Sequence, residues 1–302
     1  MSKHHKKRQS SPLPNPRLSP PVSSVRKNSS LDAPLVDICI ITAGRYDMLR
    51  ECLTSAVESI SGIKCRILLF DNGSPQEEYV KNMDIFEKVR STKFSSEYGA
   101  TKRSQENTGF PRGANELIGM GTAPLVMLIT DDVMIKPDAL NTLVRRMDDP
   151  TIGICGMKLI FPLNSTNPAR PAGKVQHIGH GVNIRGEITH PLMGWSPENP
   201  KCNVSRQVFS VTGAAFMVRR NLFRQVKGFS EDYGRGTFED VELCLRIRQL
   251  GYKIFIDTNA VGYHHVGATV QLKKEGFPLL FNSMLFNSRW ANSLAWTEWE
   301  MY

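Results

Sequence analysis

Residues 36–72 constrain the fold more than any other stretch. The β-branched run Val36–Thr42 ends in a glycine-containing turn. In the next stretch, "YDMLRECLTSAVESI", Met48, Leu49, Cys52, Leu53, Ala56, Val57 and Ile60 recur at threes and fours. That spacing predicts a helix with one apolar face, closed at Gly62. "CRILLFD" then predicts a second buried strand stopping at "DNGSP". Strand, helix, strand in this order is a βαβ unit, which needs parallel strands and a right-handed crossover. A chain that opens this way is committed to an α/β sheet flanked by helices.

A third strand, "APLVMLITDD", follows a turn and short helix in "NTGFPRGANELIGMG". The polar residues between, 84–106, predict a long loop. In open parallel sheets ligands bind at the carboxyl ends of the strands. Thr42–Arg45, Asp71–Ser74 and Asp131–Asp132 all lie at such ends, so three polar strand ends converge on one edge. Adjacent carboxylates repel unless something positive sits against them. An exposed strand end or a helix cap is the plain alternative to a divalent cation and an anionic ligand.

The second half predicts strands in "IGICGMKLIF", "KVQHIGHGVNI" and "QVFSVTGAAFMVRR". A short helix, "NLFRQV", comes next. The helix in "FEDVELCLRIRQL" ends at Gly251, and a last strand runs into His264 and His265. Neighbours on a strand point to opposite faces, so one of these two histidines faces any given site. Glu239 and Asp240 form a second carboxylate pair at a helix start, where the dipole alone favours acidic residues. Asp71 has a similar local alternative, closing its own turn.

Composition excludes several classes. No apolar run approaches the roughly 20 residues that cross a bilayer. The basic N-terminus lacks the apolar segment of a secretory signal, which predicts a cytoplasmic protein. Six scattered cysteines without a CxxC argue against a disulfide framework or zinc cluster. The net charge of +9 is uneven: residues 1–34 hold seven Lys and Arg against one Asp, leaving only +3 for the rest. This Ser/Pro-rich basic tail has too little apolar matter to fold. A solvated tail and contact with an anionic membrane or nucleic acid both fit it. The segment 271–302 predicts a helix bearing Trp290, Trp296 and Trp299, packed on the body or resting on a membrane interface.

Six pieces of the chain in order resemble family 2 glycosyltransferases, especially rhamnosyl- and galactofuranosyltransferase-like members. They are "VDICIITAGRYDMLRECLTSAV", "ILLFDNGSPQE", "NTGFPRGAN", "MLITDDVMIKPDAL", the block from "VTGAAFMVRR" to "GTFEDVELCLRIRQLG", and "YKIFIDTNAVGYHH". The resemblance covers about residues 35–270. It implies a GT-A fold: a Rossmann-like mixed sheet, with a nucleotide-sugar half (35–135) followed by an acceptor half (136–270). It implies an inverting, metal-dependent transfer of a sugar from a nucleotide-diphospho sugar, UDP- or dTDP-linked, to an acceptor hydroxyl. The acceptor would be a glycan, a lipid-linked or another hydroxyl compound, nucleic acid included. Thr42, Arg45, Asp71, Asn72, Arg112 and Asp131 would bind the nucleotide sugar. Asp132 and His264, or alternatively His265, would hold Mn²⁺ or Mg²⁺. Asp240 would be the general base, with Glu239 beside it. Thr130 stands where the family's Asp-x-Asp metal motif has its first carboxylate. His177, His180 and His190 resemble an acceptor-side strand pair and carry no expected chemistry. A sugar nucleotidyltransferase is a rival reading, but "TAGRYDMLRE" lacks its Gly-rich basic loop. A nucleotide-sugar-binding module without catalysis is the other.

Overall fold

The computed structural model describes residues 33–93, 99–183, 185–266 and 278–294. Most of the basic tail, Trp296 and Trp299 lie outside these residues. β1 (Val36–Thr42), α1 (Tyr46–Glu58) and β2 (Cys65–Asn72) form the opening βαβ unit, with all of β1 buried. α1 ends with Ser59 as its C-cap, before the expected Gly62.

The polar stretch read as a loop differs from expectation. It holds α2 (Gln76–Lys93) and β3 (Gly99–Ser104), and β3 adds to β2 in parallel. α2 buries Asn82, Ile85 and Phe86, with Met83 and Val89 partly covered against the core, and many of its other residues are exposed, so its sequence carries little apolar pattern. β3 is an edge strand, mostly polar for the same reason.

The chain continues through α3 (Phe110–Gly119), β4 (Leu125–Thr130), β5 (Val133–Ile135), α4 (Ala139–Arg146), β6 (Ile152–Ile160), β7 (Val175–His177), β8 (Gly181–Val182) and β9 (Ile188–Thr189). It finishes with β10 (Arg206–Gln207), β11 (Ala215–Arg219), α5 (Arg220–Gln225), α6 (Glu239–Gln249), β12 (Lys253–His264) and α7 (Leu279–Leu294). The sheet order is β10-β12-β6-β11-β4-β1-β2-β3, with β5 also on β12 and β7 also on β6. β3, β2, β1 and β4 are mutually parallel, and β11 runs against both β4 and β6.

Both faces of the sheet are covered, which explains why its central strands are apolar throughout rather than alternating. Ile38 and Ile40 pack with α1, α2 and α4 on one face. Cys39 and Ile41 pack with α3, α5 and α6 on the other. Phe286 and Trp290 of α7 pack against Tyr233, Val241 and Leu245, so Trp290 serves the core. All six cysteines are free and buried. Among the described residues no helix is long and apolar enough to cross a membrane.

Register places the site. Thr42 pairs with Asp71 across β1–β2, and Ile41 with Thr130 across β1–β4. The three polar strand ends therefore share one edge. β5, directly after Asp132, pairs antiparallel with the end of β12, setting Val133 opposite His264.

Candidate functional site

Asp131 and Asp132 are buried at the end of β4. The positive charge they require comes from within the chain: the buried Arg45 guanidinium, at the start of α1, pairs with Asp131 and lies 3.6 Å from Asp132. Thr42 Oγ1 donates to Asp131 at 2.6 Å, and Thr130 Oγ1 to Asp132 at 2.6 Å. Thr130, the departure from Asp-x-Asp, thus orients the neighbouring carboxylate. Burial pushes Asp131 up to about 6, with Arg45 opposing and Asp132 adding to the rise. Asp132 is held well below the usual carboxylate range. Burial works against its charge, and His264, Arg45 and Thr130 outweigh burial.

His264, not His265, faces Asp132, with Nε2 3.6 Å from Oδ1. Its Nδ1 lies 3.2 Å from Gln176 Oε1. An amide oxygen only accepts, so Nδ1 donates to Gln176, and Nε2 is the nitrogen turned toward Asp132. His265 instead donates its backbone amide to the Asp132 carbonyl at 3.0 Å. One carboxylate and one imidazole facing each other, both oriented by second partners, form a donor set that fits a divalent cation.

Asp71 is fully buried. It accepts from the Ser74 amide at 3.0 Å and from Asn82 at 3.4 Å, closing its own turn. Asn72 donates to the Gly109 carbonyl at 3.1 Å and accepts from the Thr108 amide at 2.9 Å, so it shapes the "NTGF" loop. Arg112 is exposed on α3, 3.6 Å from Glu116, and makes no contact with the carboxylates at the sheet edge. The basic residue beside the Asp71 turn is Arg103 of β3. It stacks on Tyr79, donates to the Ser74 carbonyl at 3.1 Å and lies 3.9 Å from Asp71. Sequence reasoning missed it because β3 was read as loop.

Glu239 and Asp240 open α6 after two residues with left-handed backbone, Thr237 (φ 84°) and Phe238 (φ 69°). Such a conformation is costly for bulky side chains and has to be held from outside. Asn282 of α7 does so: it is fully buried and donates to the carbonyls of Tyr233 (3.0 Å) and Gly236 (2.6 Å). Its sequence signal was available, since Asn282 continues the Phe286–Trp290 stripe one turn earlier. Asp240 accepts from the Gly213 amide at 2.8 Å and from Val241 at 2.8 Å. Burial raises it above its ordinary value. Burial and the Asp240 charge raise Glu239 much further, and Glu239 Oε2 has no hydrogen-bond partner.

One segment joins the two carboxylate centres. Gly213 holds Asp240, and the next residue, Ala214, accepts from the Thr130 amide at 2.9 Å. The Asp131–Asp132 edge and Asp240 thus flank a single loop.

Solved structures with the same architecture are glycosyltransferases of the GT-A fold. The structure titled "Crystal structure of GalNAc-T7 with UDP, GalNAc and Mn2+" superposes with a TM-score of 0.68 at 13% identity, covering 87% of this chain and 50% of that one. The mannosyltransferase PcManGT from Pyrobaculum calidifontis, in complex with GDP-Man and Mn2+, gives 0.53 at 15% identity, covering 81% and 62%. Among curated proteins, the O-antigen biosynthesis protein RfbC of Myxococcus xanthus is 27% identical over 243 residues, which is 78% of this chain and 18% of RfbC. The uncharacterised protein y4gI of Sinorhizobium fredii is 27% identical over 241 residues, 78% of this chain and 25% of that protein. The chain spans about a quarter or less of the length of these relatives. The profile of "Glycosyl transferase family 2" matches residues 37–226, well over half of the chain. The chain therefore belongs to glycosyl transferase family 2.

Proposed function

We propose that the chain is an inverting, metal-dependent glycosyltransferase. It moves a hexosyl or deoxyhexosyl group from a nucleotide-diphospho sugar to an acceptor hydroxyl in glycan or polysaccharide biosynthesis. The observation that carries this reading is the shared loop: Gly213 and Ala214 tie Asp240 to the strand end bearing Asp131 and Asp132. Two carboxylate centres on opposite sides of one loop suit a donor on one side and an acceptor on the other. The nucleotide sugars and Mn2+ named for the structural neighbours support it, as does the O-antigen role named for RfbC.

Asp132 and His264 would hold Mn²⁺ or Mg²⁺, which would neutralise the departing diphosphate. Asp131, fixed by Thr42 and Arg45, keeps a hydrogen-bond acceptor at the strand end for the nucleotide. Asp240 takes the proton of the acceptor hydroxyl. The new bond to the sugar forms as the bond to the diphosphate oxygen breaks on the opposite face, which inverts the anomeric centre. The amides of Gly213 and Val241 fix Asp240 for this step. Glu239 stands beside Asp240 at the start of α6, its Oε2 without a hydrogen-bond partner.

A panel of UDP-, dTDP- and GDP-sugars, with and without Mn²⁺ and scored by released nucleoside diphosphate, tests the reading. Asp240→Asn keeps shape and removes the base. Transfer should fall by about 100-fold or more while nucleoside diphosphate affinity stays near wild type. Affinity and turnover falling together would make Asp240 a structural cap. Binding without turnover in the wild type would favour the non-catalytic module.

A further inference from the structure

A cavity of about 250 Å³ shares no residue with the Asp131–Asp132 edge or with Asp240. It lies where β5, β12 and β6 meet. Register sets Lys158 of β6 opposite Val261 of β12, and Ile160 opposite Tyr263. Lys136, directly after β5, donates its backbone amide to the Val261 carbonyl at 2.8 Å. Alternate residues of a strand share one face. Lys158, Ile160, Val261 and Tyr263 therefore stand together, and with Lys136 they line the cavity. His264, the next residue of β12, faces Asp132 instead.

Two ammonium groups belong to this lining, and among the described residues neither is ion-paired with a carboxylate. Lys158 is 6% exposed, and its Nζ donates to the Asn203 side-chain oxygen at 2.6 Å. An ammonium has three donors, so this bond leaves two. Buried charges are ordinarily paired, and an amide oxygen brings no charge. Lys136 Nζ lies over the Tyr263 ring, 5.3 Å from its centroid. Glu198, the acidic residue of the lining, is exposed and accepts from Ser196 Oγ. Burial lowers Lys158 below its ordinary value and the Lys136 charge lowers it further, with Cys202 and Glu198 opposing. The walls thus bring two positive charges and one negative to a space with an apolar side.

We propose that this cavity binds an acidic monosaccharide, a sugar carrying one carboxylate or phosphate. Lys136 and Lys158 recognise the anionic group, and Ile160, Val261 and Tyr263 receive the sugar ring. The volume sets the size. Pockets for larger ligands occupy roughly 300–1,000 Å³, so this one suits a single sugar and not a nucleotide sugar. A uronic acid unit of a glycan and a free sugar phosphate share this chemistry.

Isothermal titration of the full chain in EDTA with glucuronate, glucose 6-phosphate, glucose and inorganic phosphate tests the proposal. The acids should bind, and glucose should bind about tenfold or more weakly, the loss of a charge-assisted hydrogen bond. Preference for glucuronate assigns the site to a uronic acid unit, and preference for glucose 6-phosphate to a sugar phosphate. Lys158→Gln and Lys136→Gln should each weaken acid binding by about tenfold. Lys136 is exposed, so Lys136→Gln should keep the wild-type Tm even if loss of the Asn203 bond unfolds Lys158→Gln. Asp132→Ala should bind the acids as wild type does. Absence of acid binding, glucose binding as tightly as the acids, or undiminished binding in Lys136→Gln would overturn the proposal. So would inorganic phosphate binding as tightly as glucose 6-phosphate, which would leave an anion site without a sugar. Loss of binding in Asp132→Ala would also overturn it, placing the ligand at the strand edge. No turnover is read, so the outcome does not depend on the proposed transfer reaction.

Discussion

Replacing Arg45 by Met tests the electrostatics of the strand end most sharply. Arg45, Asp131 and Asp132 are 8%, 2% and 5% exposed, so solvent screens their interaction little. The variant leaves two adjacent buried carboxylates with no guanidinium. Removing one partner from such a buried pair costs about 3–5 kcal/mol. For a domain of this size each kcal/mol shifts Tm by roughly 2–4 °C, so a fall of roughly 6–20 °C is expected. The pH dependence gives a second, independent sign. Asp131 already sits at about 6, above its unfolded value near 4. Between these values the folded state binds more protons than the unfolded one, so its contribution to stability falls as pH rises. Without Arg45 the carboxyl rises further, so the deficit of Arg45→Met relative to wild type should be larger at pH 7.5 than at pH 5. Thermal unfolding of both proteins in chelator, from pH 5 to 8, measures it. A deficit below about 1 kcal/mol, or one independent of pH, would refute the argument that Arg45 neutralises this pair.

Asp132→Ala should lose the Mn²⁺-dependent rise in Tm produced by nucleoside diphosphate, which at 100-fold excess over Kd amounts to about 2.7 kcal/mol in wild type; an equal rise in EDTA would sink the metal reading. Asp37→Asn should cost about 3–5 kcal/mol in urea unfolding, because the fully buried Asp37 accepts from Arg66 (2.8 Å), Arg220 (2.5 Å) and the Ala123 amide (2.9 Å). Gly109→Ala should cost about 1–3 kcal/mol in thermal unfolding, since φ is +87° there and a Cβ would lie 2.0 Å from the Gly234 carbonyl oxygen.

The opening βαβ unit was readable because buried strands and a one-sided helix leave strong periodic signals. α2 and β3 were not, since a helix that buries three residues and a polar edge strand carry almost no pattern. Arg103 went unread with them, while Arg112, chosen from a motif, points to solvent. Asn282 shows the reverse case: its place in the Phe286–Trp290 stripe was visible, but what it holds lies about 45 residues earlier in the chain.

By itself the sequence determined the opening βαβ unit, the polar ends of its strands and which carboxylates stand there, because these follow from side-chain period and the order of elements along the chain. Only the tertiary structure shows that His264 rather than His265 faces Asp132, because that depends on the pairing of β5 with β12. It alone supplied Arg45 as the counter-charge to Asp131 and joined Asp240 to the same loop through Gly213. It also drew three unpromising histidines into one cluster, with His177 Nδ1 3.1 Å from His190 Nδ1 and His180 bonded to Ser210. These are contacts between residues 13 to more than a hundred positions apart, and local spacing carries no record of them.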